Sequence, residues 1–323
     1  LSSEALIPEI FRSRVEPARR FDLRSAAPFV NKSVSEATRR AYGRAVREFF
    51  QSIGMKHPLE VVPNDVLLWR DKLRSQKKSA ATVAFKLSVI RSFFEYLKAA
   101  GAVHLNPALT KLVSPPELAS EPAGRALSVK EVRYLLSGPD REKPEGARDY
   151  ALMLVMLRLS LRVSEVCSLR TSSMKWSHGR WTLRCKVKGG REEVWPLPKE
   201  VKEAIDNYLR LDRSRREIAH SEGEHAYLFQ PHTNYRTLEF DKPLSTRMVQ
   251  KIVKRWADYS RLGDLSPHDL RRTAITRALD SGLTYRQVQM MSKHRDPKTV
   301  MRYDHGRENL DQNAVNFLGY DEG

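Results

Sequence analysis

Apolar positions recur at helical spacing through most of the chain and change period once. After a Ser35-Glu36-Ala37-Thr38 start, Tyr42, Val46, Phe49 and Phe50 return every three to four residues, which predicts an amphipathic helix. Pro63-Asn64-Asp65 opens a second helix through Val66, Leu67, Leu68, Trp69 and Leu73. Ser79 precedes a third, with Val83, Leu87, Ile90, Phe93, Phe94 and Leu97, and Gly101 ends it. Past Leu127-Ser128 a new pattern begins with Val132, Leu135 and Leu136, and residues 147–159 are so strongly apolar that they read as a buried helix. Over 173–198 the period falls to two: Trp181, Leu183, Cys185 and Val187 alternate with Thr182, Arg184, Lys186 and Lys188. With turns at His178-Gly179 and Gly189-Gly190 and a return through Val194-Trp195-Pro196-Leu197, this predicts a three-stranded antiparallel meander. Helical spacing resumes at 199–211, 245–259, 267–280, 284–291 and 297–303.

The expected fold is therefore mainly α with a small antiparallel β-sheet, in two domains. Residues 1–33 mix Pro, Arg and Ser without periodicity and read as an N-terminal arm. A helical domain spans 34–107, a linker rich in Pro (Pro115-Pro116, Pro122, Gly124) spans 108–127, an α+β domain spans 128–308, and a weakly amphipathic tail spans 309–323.

Charge narrows the function. The chain has 323 residues with 57 Lys+Arg against 39 Asp+Glu, a net +18. Divided near residue 126, both parts carry the same excess, 21 basic against 12 acidic residues before it and 36 against 27 after. Two basic domains suit a protein that grips a polyanion from two sides. Arg70, Lys72, Arg74, Lys77, Lys78, Lys86 and Arg91 fall on or between the first helices, either as a solvated face or as phosphate contacts. The longest apolar run, around Ala151 to Leu157, stops at Arg158, far short of the roughly 18 residues a membrane span needs. Cys167 and Cys185 are too few for a disulfide framework and lack zinc spacing. With no leader pattern at Leu1, the expectation is a cytoplasmic protein.

Four short islands carry chemistry. Arg162 and Glu165 stand three apart after the apolar helix, either as an ordinary ion pair or as a guanidinium presented to a phosphate and steadied by a carboxylate. Lys188, before Gly189-Gly190, is either a solvated hairpin lysine or an ammonium on a hairpin tip. Ser266-Pro267-His268-Asp269-Leu270-Arg271 reads as a helix start with an N-cap, Pro at the first position and a capping-box acid, putting His268 and Arg271 on one face near the positive helix end. His294 precedes a further start at Asp296-Pro297, with Tyr303 about two turns beyond it.

In order and spacing these islands resemble the tyrosine recombinase, or phage integrase, family: Leu161-Arg162-Val163-Ser164-Glu165, Lys188-Gly189 in a hairpin ending Val194-Trp195-Pro196-Leu197, His268-Asp269-Leu270-Arg271, then His294 with Tyr303 nine residues on. The resemblance covers roughly 34–318. Asn106-Pro107 falls where members often carry the same pair. The chain departs from the pattern at Ser160, where Gly commonly precedes Leu-Arg, at Ser292-Lys293, which replace Leu-Gly, at Val187, which replaces Gly, and at Arg272, where members frequently have His.

The resemblance implies a helical core-DNA-binding domain followed by an α+β catalytic domain, and site-specific DNA strand exchange. Tyr303 would attack a backbone phosphate, forming a 3′-phosphotyrosyl link and freeing a 5′-hydroxyl. Arg162, Arg271 and His294 would hold the non-bridging oxygens, and His268 would assist proton transfer. Lys188 would protonate the leaving oxygen, and Glu165 would orient its neighbours. No cofactor or metal is implied. The expected partners are double-stranded DNA with an inverted-repeat core site and further copies of the chain, four in the synapse, passing through a four-way junction. Type IB topoisomerase-like nicking and a non-catalytic DNA-binding regulator are the alternatives.

Overall fold

The computed structural model describes residues 20–33, 35–117, 124–187, 190–218, 223–232, 242–304 and 316. The chain divides into two compact units, Leu1–Ala119 and Ser120–Gly323.

The first unit is helical. Its helices are α1 (Ala27–Asn31), α2 (Glu36–Ser52), α3 (Pro63–Ser75) and α4 (Ala80–Ala99), and the last three start where the sequence offers caps. Ser79 Oγ accepts from the Thr82 amide at 3.2 Å, and Asp65 reaches back to the Val62 amide at 3.0 Å. Their apolar stripes meet in an aromatic core of Phe29, Phe49, Phe50, Trp69, Phe93 and Phe94. The rings pack mostly edge to face, Phe49 against Trp69 at 5.1 Å and Phe93 against Phe94 at 5.6 Å. Residues 20–31 correct the expectation of an arm reaching to residue 33. Phe21 and Phe29 are buried in this core, and Asp22 caps a short 3-10 turn, Leu23–Ala26, that leads into α1. Elements of four and five residues are too short to register as a period, so the sequence pattern missed them. Asn106 closes the far end of the unit, donating to the Arg91 carbonyl and Glu95 and accepting from the Ala108 amide.

The second unit is built around α6 (Pro144–Leu159), which is buried on nearly every side as its composition requires. α5 (Val129–Ser137) and α7 (Val163–Ser168) flank it in sequence. The sheet follows with order β1-β2-β3, from β1 (Met174–Ser177), β2 (Arg180–Lys186) and β3 (Glu192–Pro196), both pairs antiparallel as expected. Leu183 faces Trp195, and both sit in the core with Cys185. Helices α8 (Lys199–Leu211), α9 (Arg213–Ile218), α10 (Thr246–Tyr259), α11 (Pro267–Asp280), α12 (Tyr285–Ser292) and α13 (Pro297–Met301) complete it, with α6 packed against α8 and α11. The last helix stops two residues earlier than its pattern predicts. The Tyr303 amide bonds to the Val300 carbonyl at 3.0 Å, a tightened final turn that takes Tyr303 off the helix. Among the described residues no helix is long and apolar enough to cross a membrane.

A buried charge cluster ties α6 to α10. Asp149 is fully buried and accepts from Arg148 at 2.8 Å, from Trp256 Nε1 at 2.8 Å and from Arg255. Asp149→Ala removes the buried carboxylate nearest Arg148, leaving it Glu145 at 3.5 Å, and is expected to cost about 3–5 kcal/mol in chemical denaturation. A loss under about 1 kcal/mol would show that the cluster is not needed for stability.

Candidate active site

Helix α11 carries the centre of the site. Ser266 is its N-cap and Pro267 occupies its first position, while Asp269 accepts from the Ser266 amide at 2.8 Å and from the Ser266 hydroxyl at 2.6 Å. The other Asp269 oxygen accepts from the Arg125 amide at 3.0 Å, so the same carboxylate fixes both the helix start and the strand of chain entering the unit. The sequence revealed the cap but not this second partner, which lies 144 residues away.

Arg271, one turn into α11, is almost completely buried. Its guanidinium donates to the Ser160 carbonyl, to the Ser292 carbonyl at 2.8 Å and to His294 Nε2 at 2.9 Å. Ser160 is the C-cap of α6, and Ser292 is the last residue of α12. The cation therefore sits against the C-terminal ends of two helices, each worth about half a negative charge. Burial, and then the neighbouring Arg162 charge, still bring its pKa down to about 10.

Two departures from the family pattern have a physical consequence here. Ser160 (φ 51°) and Lys293 (φ 53°), the caps of these two helices, both adopt the left-handed conformation that glycine takes without strain. Lys293 gains compensating contacts with Glu193 at 3.3 Å and with the Trp195 ring at 5.3 Å. Trp195 Nε1 in turn donates to the Met291 carbonyl at 2.6 Å, tying β3 to the end of α12.

Arg162 is half-buried and is held by Glu165, whose carboxylate accepts from the Arg162 amide at 2.7 Å and from its guanidinium at 2.9 Å. Glu165 is itself buried, so the ion pair and the presented guanidinium are one arrangement. His268 lies on the exposed side of the first turn of α11. Partial burial, followed by the Arg271 charge, pushes its pKa down.

His294 is neutral in this arrangement. Arginine has no acceptor, so His294 Nε2 must accept from Arg271, and the proton on Nδ1 is given to Ser292 Oγ at 2.9 Å. Burial, then Arg271 and Arg162, bring its pKa down to about 3. The Tyr303 ring stacks on this imidazole at 6.0 Å and 21° and is only 4% exposed. The structure thus brings Arg271 to His294 and stacks the Tyr303 ring on that imidazole, with Arg162–Glu165 and His268 nearby. Lys188 lies outside the described residues, as do 305–315 and 317–323 of the tail.

A histidine whose pKa is lower in the folded state than in the unfolded chain supports the fold above the unfolded value, about 6.5, and that support is lost as pH falls toward 3. DNA-free protein should show His294 as the neutral Nδ1–H tautomer at pH 5 by imidazole nitrogen NMR. His294→Gln should flatten part of the stability loss between pH 6.5 and 3. An imidazolium signal from His294 at pH 6 would contradict this geometry.

Known proteins resemble this chain in sequence and in fold. The model of the phage integrase family matches residues 125–309, and that of the phage integrase N-terminal SAM-like domain matches 29–101. The chain is 29% identical over 277 residues to the tyrosine recombinase XerC of Thermodesulfovibrio yellowstonii, covering 85% of this chain and 88% of that one. It is 28% identical to the XerD of Halalkalibacterium halodurans, covering 85% and 89%. In fold it is similar to the Tn1549 transposon integrase in complex with transposon right end DNA, with a TM-score of 0.68 at 16% identity over 92% and 98% of the two chains. It is also similar to a lambda integrase dimer bound to a core site, with a TM-score of 0.64 at 16% identity over 88% and 95%. With both matched segments in the expected order and the arginine, histidine and tyrosine side chains converging in the second, the chain belongs to the phage integrase family and is a tyrosine recombinase, an enzyme of site-specific DNA breaking and rejoining.

Proposed function

We propose that Tyr303 is the nucleophile, attacking a DNA phosphate to form a 3′-phosphotyrosyl link while the 5′-oxygen leaves. The observation that carries this reading is the buried Arg271 guanidinium bonded to His294, with the Tyr303 ring stacked on that same imidazole. A phosphate brings the full negative charge that the two helix ends supply only in part. Arg271 and Arg162 donate to the non-bridging oxygens, where charge accumulates in the transition state, and their fixed geometry means little reorganisation as it develops. His294 gives its Nε2 to the same oxygens once it is protonated, a change that an anion beside Arg271 favours. His268 assists proton transfer, and Glu165 holds Arg162 in place. Lys188 is the acid for the leaving 5′-oxygen. The covalent link preserves the phosphodiester energy, so the mechanism calls on neither a nucleotide cofactor nor a metal.

The partner is duplex DNA with an inverted-repeat core site, and the working assembly is a tetramer that exchanges strands through a four-way junction. In the first unit, Lys72, Arg74, Lys77 and Lys78 are exposed around the end of α3 and offer phosphate contacts. Lys86 and Arg91 are engaged within the unit, Lys86 with Glu48 and Arg91 with the Ala108 carbonyl at 2.8 Å, so they are assigned to structure. The apolar tail residues Val315, Phe317, Leu318 and Tyr320 are assigned to docking on a neighbouring protomer rather than to packing within their own domain.

The test of the nucleophile is Tyr303→Phe on a nicked duplex site. DNA binding should survive while the covalent adduct on a denaturing gel disappears. Junction formation by the unaltered protein on paired sites then separates a recombinase from a topoisomerase. Persistent adduct in Tyr303→Phe would move the nucleophile elsewhere, with Tyr320 the next candidate.

Lys188 is tested through the leaving group. Lys188→Ala should slow cleavage of ordinary DNA by about 10²–10⁴. Sulfur in place of the bridging 5′-oxygen needs little protonation, so cleavage of that substrate should recover. Arg162→Ala and Arg271→Ala should not recover to the same degree, because their contacts are to non-bridging oxygens. Equal slowness of Lys188→Ala on both substrates would make the lysine a phosphate binder, with Lys186 the next acid to examine.

A further inference from the structure

Helix α11 has a second arginine that the mechanism above does not use. Arg272 is almost completely buried, a costly place for a guanidinium, and its Cζ lies 5.7 Å from the centre of the Tyr303 ring, within cation–π range. The same helix holds Tyr303 at a second point, where Thr276 Oγ1 donates to the Tyr303 carbonyl at 3.4 Å. His294 supplies a third contact through its ring at 6.0 Å. Ile275, Val288 and Val300, all buried, form a small apolar cluster with Tyr303.

Adjacent residues on a helix point about 100° apart. Arg271 uses its direction to reach the two helix ends and His294, whereas Arg272 uses the next to reach the tyrosine. Residue 303 needs such a hold because it follows a five-residue helix and lies in a turn, where the local backbone does little to fix its ring.

We propose that Arg272 is a positioning residue for the nucleophile. Its planar cation fixes the Tyr303 ring relative to α11, and hence relative to the phosphate held by Arg271, without touching the reacting atoms. The inference rests on Tyr303 being the nucleophile. Misplacing a reacting group by an ångström costs on the order of 10²-fold in rate, and that is the size of effect expected.

A small external nucleophile separates positioning of the tyrosine from integrity of the phosphate site. In a Tyr303→Ala background, hydrogen peroxide replaces the phenol. Its anion attacks phosphorus, the bond from phosphorus to the 5′-oxygen breaks, and that oxygen leaves as a hydroxyl with a proton from the site. Arg272→Met, which keeps volume and removes charge, should lower single-turnover adduct formation by Tyr303 on the order of 10²-fold. The same substitution should leave peroxide cleavage in the Tyr303→Ala background unchanged within about twofold, a margin far below the effect sought. Arg272→Lys keeps the charge but loses the planar fork, so it should fall between Met and the original residue in the first assay and match both in the second.

Equal losses in the two assays would make Arg272 a structural support of the whole site and overturn the proposal, as would no loss in the first. Failure of both variants to fold and bind DNA would count the same way. Tyr303→Phe alone reports on the underlying assignment: adduct surviving there refutes the nucleophile itself, whereas its disappearance leaves the Arg272 comparison to be judged separately.

Discussion

The site depends on keeping one arginine charged out of water. Arg271 is bonded to the Ser160 and Ser292 carbonyls and to a neutral imidazole. A carboxylate in that place would cancel the charge and close the site to anions. Two helix ends, each worth about half a charge, stabilise the cation while leaving its field available. The elements around it follow from this choice. α6 must end at Ser160 and α12 at Ser292, the cap residues must turn left-handed, and β3 must lie close enough for Trp195 to hold the Met291 carbonyl. His294 is drawn into the same arrangement, since a donor that cannot accept forces its Nε2 to accept and fixes its tautomer.

Carboxylates are used in the site differently. Glu165 and Asp269 are both buried, and both spend their oxygens on backbone amides as well as side chains. They set where α7 and α11 begin and keep Arg162 and His268 at the ends of those helices. Helix starts supply the side chains that face outward and helix stops supply the oxygens that hold the buried cation, so the polarity of the secondary structure organises the site.

Much of this was legible in the sequence because the signals were local. The Ser266-to-Asp269 start, the alternation through β2 and the His178-Gly179 turn of the meander each occupy a few adjacent residues, and each appears where expected. The order of the chemical islands carried the family resemblance. What was not legible depends on contacts across the fold. Two partners of Arg271 are main-chain oxygens 111 and 21 residues away, and no side-chain pattern encodes them. Phe21 and Phe29 belong to a core whose other aromatic members lie on α2, α3 and α4, while their own elements are too short to show a period. Lys86 and Arg91 look like the other basic residues near them until Glu48 and the Ala108 carbonyl are brought alongside.

Anchoring a buried charge on backbone carbonyls has a consequence for how far such a protein can diverge. A side-chain partner can be deleted by one codon change, but a carbonyl is present whatever residue supplies it. Substitution at 160, 292 and 293 can therefore alter strain and packing without removing an acceptor, provided the chain still turns there. Ser, Ser and Lys occupy those positions in this chain and the carbonyls of 160 and 292 still meet the guanidinium. Robustness of this kind lets a scaffold drift while its central cation stays in register.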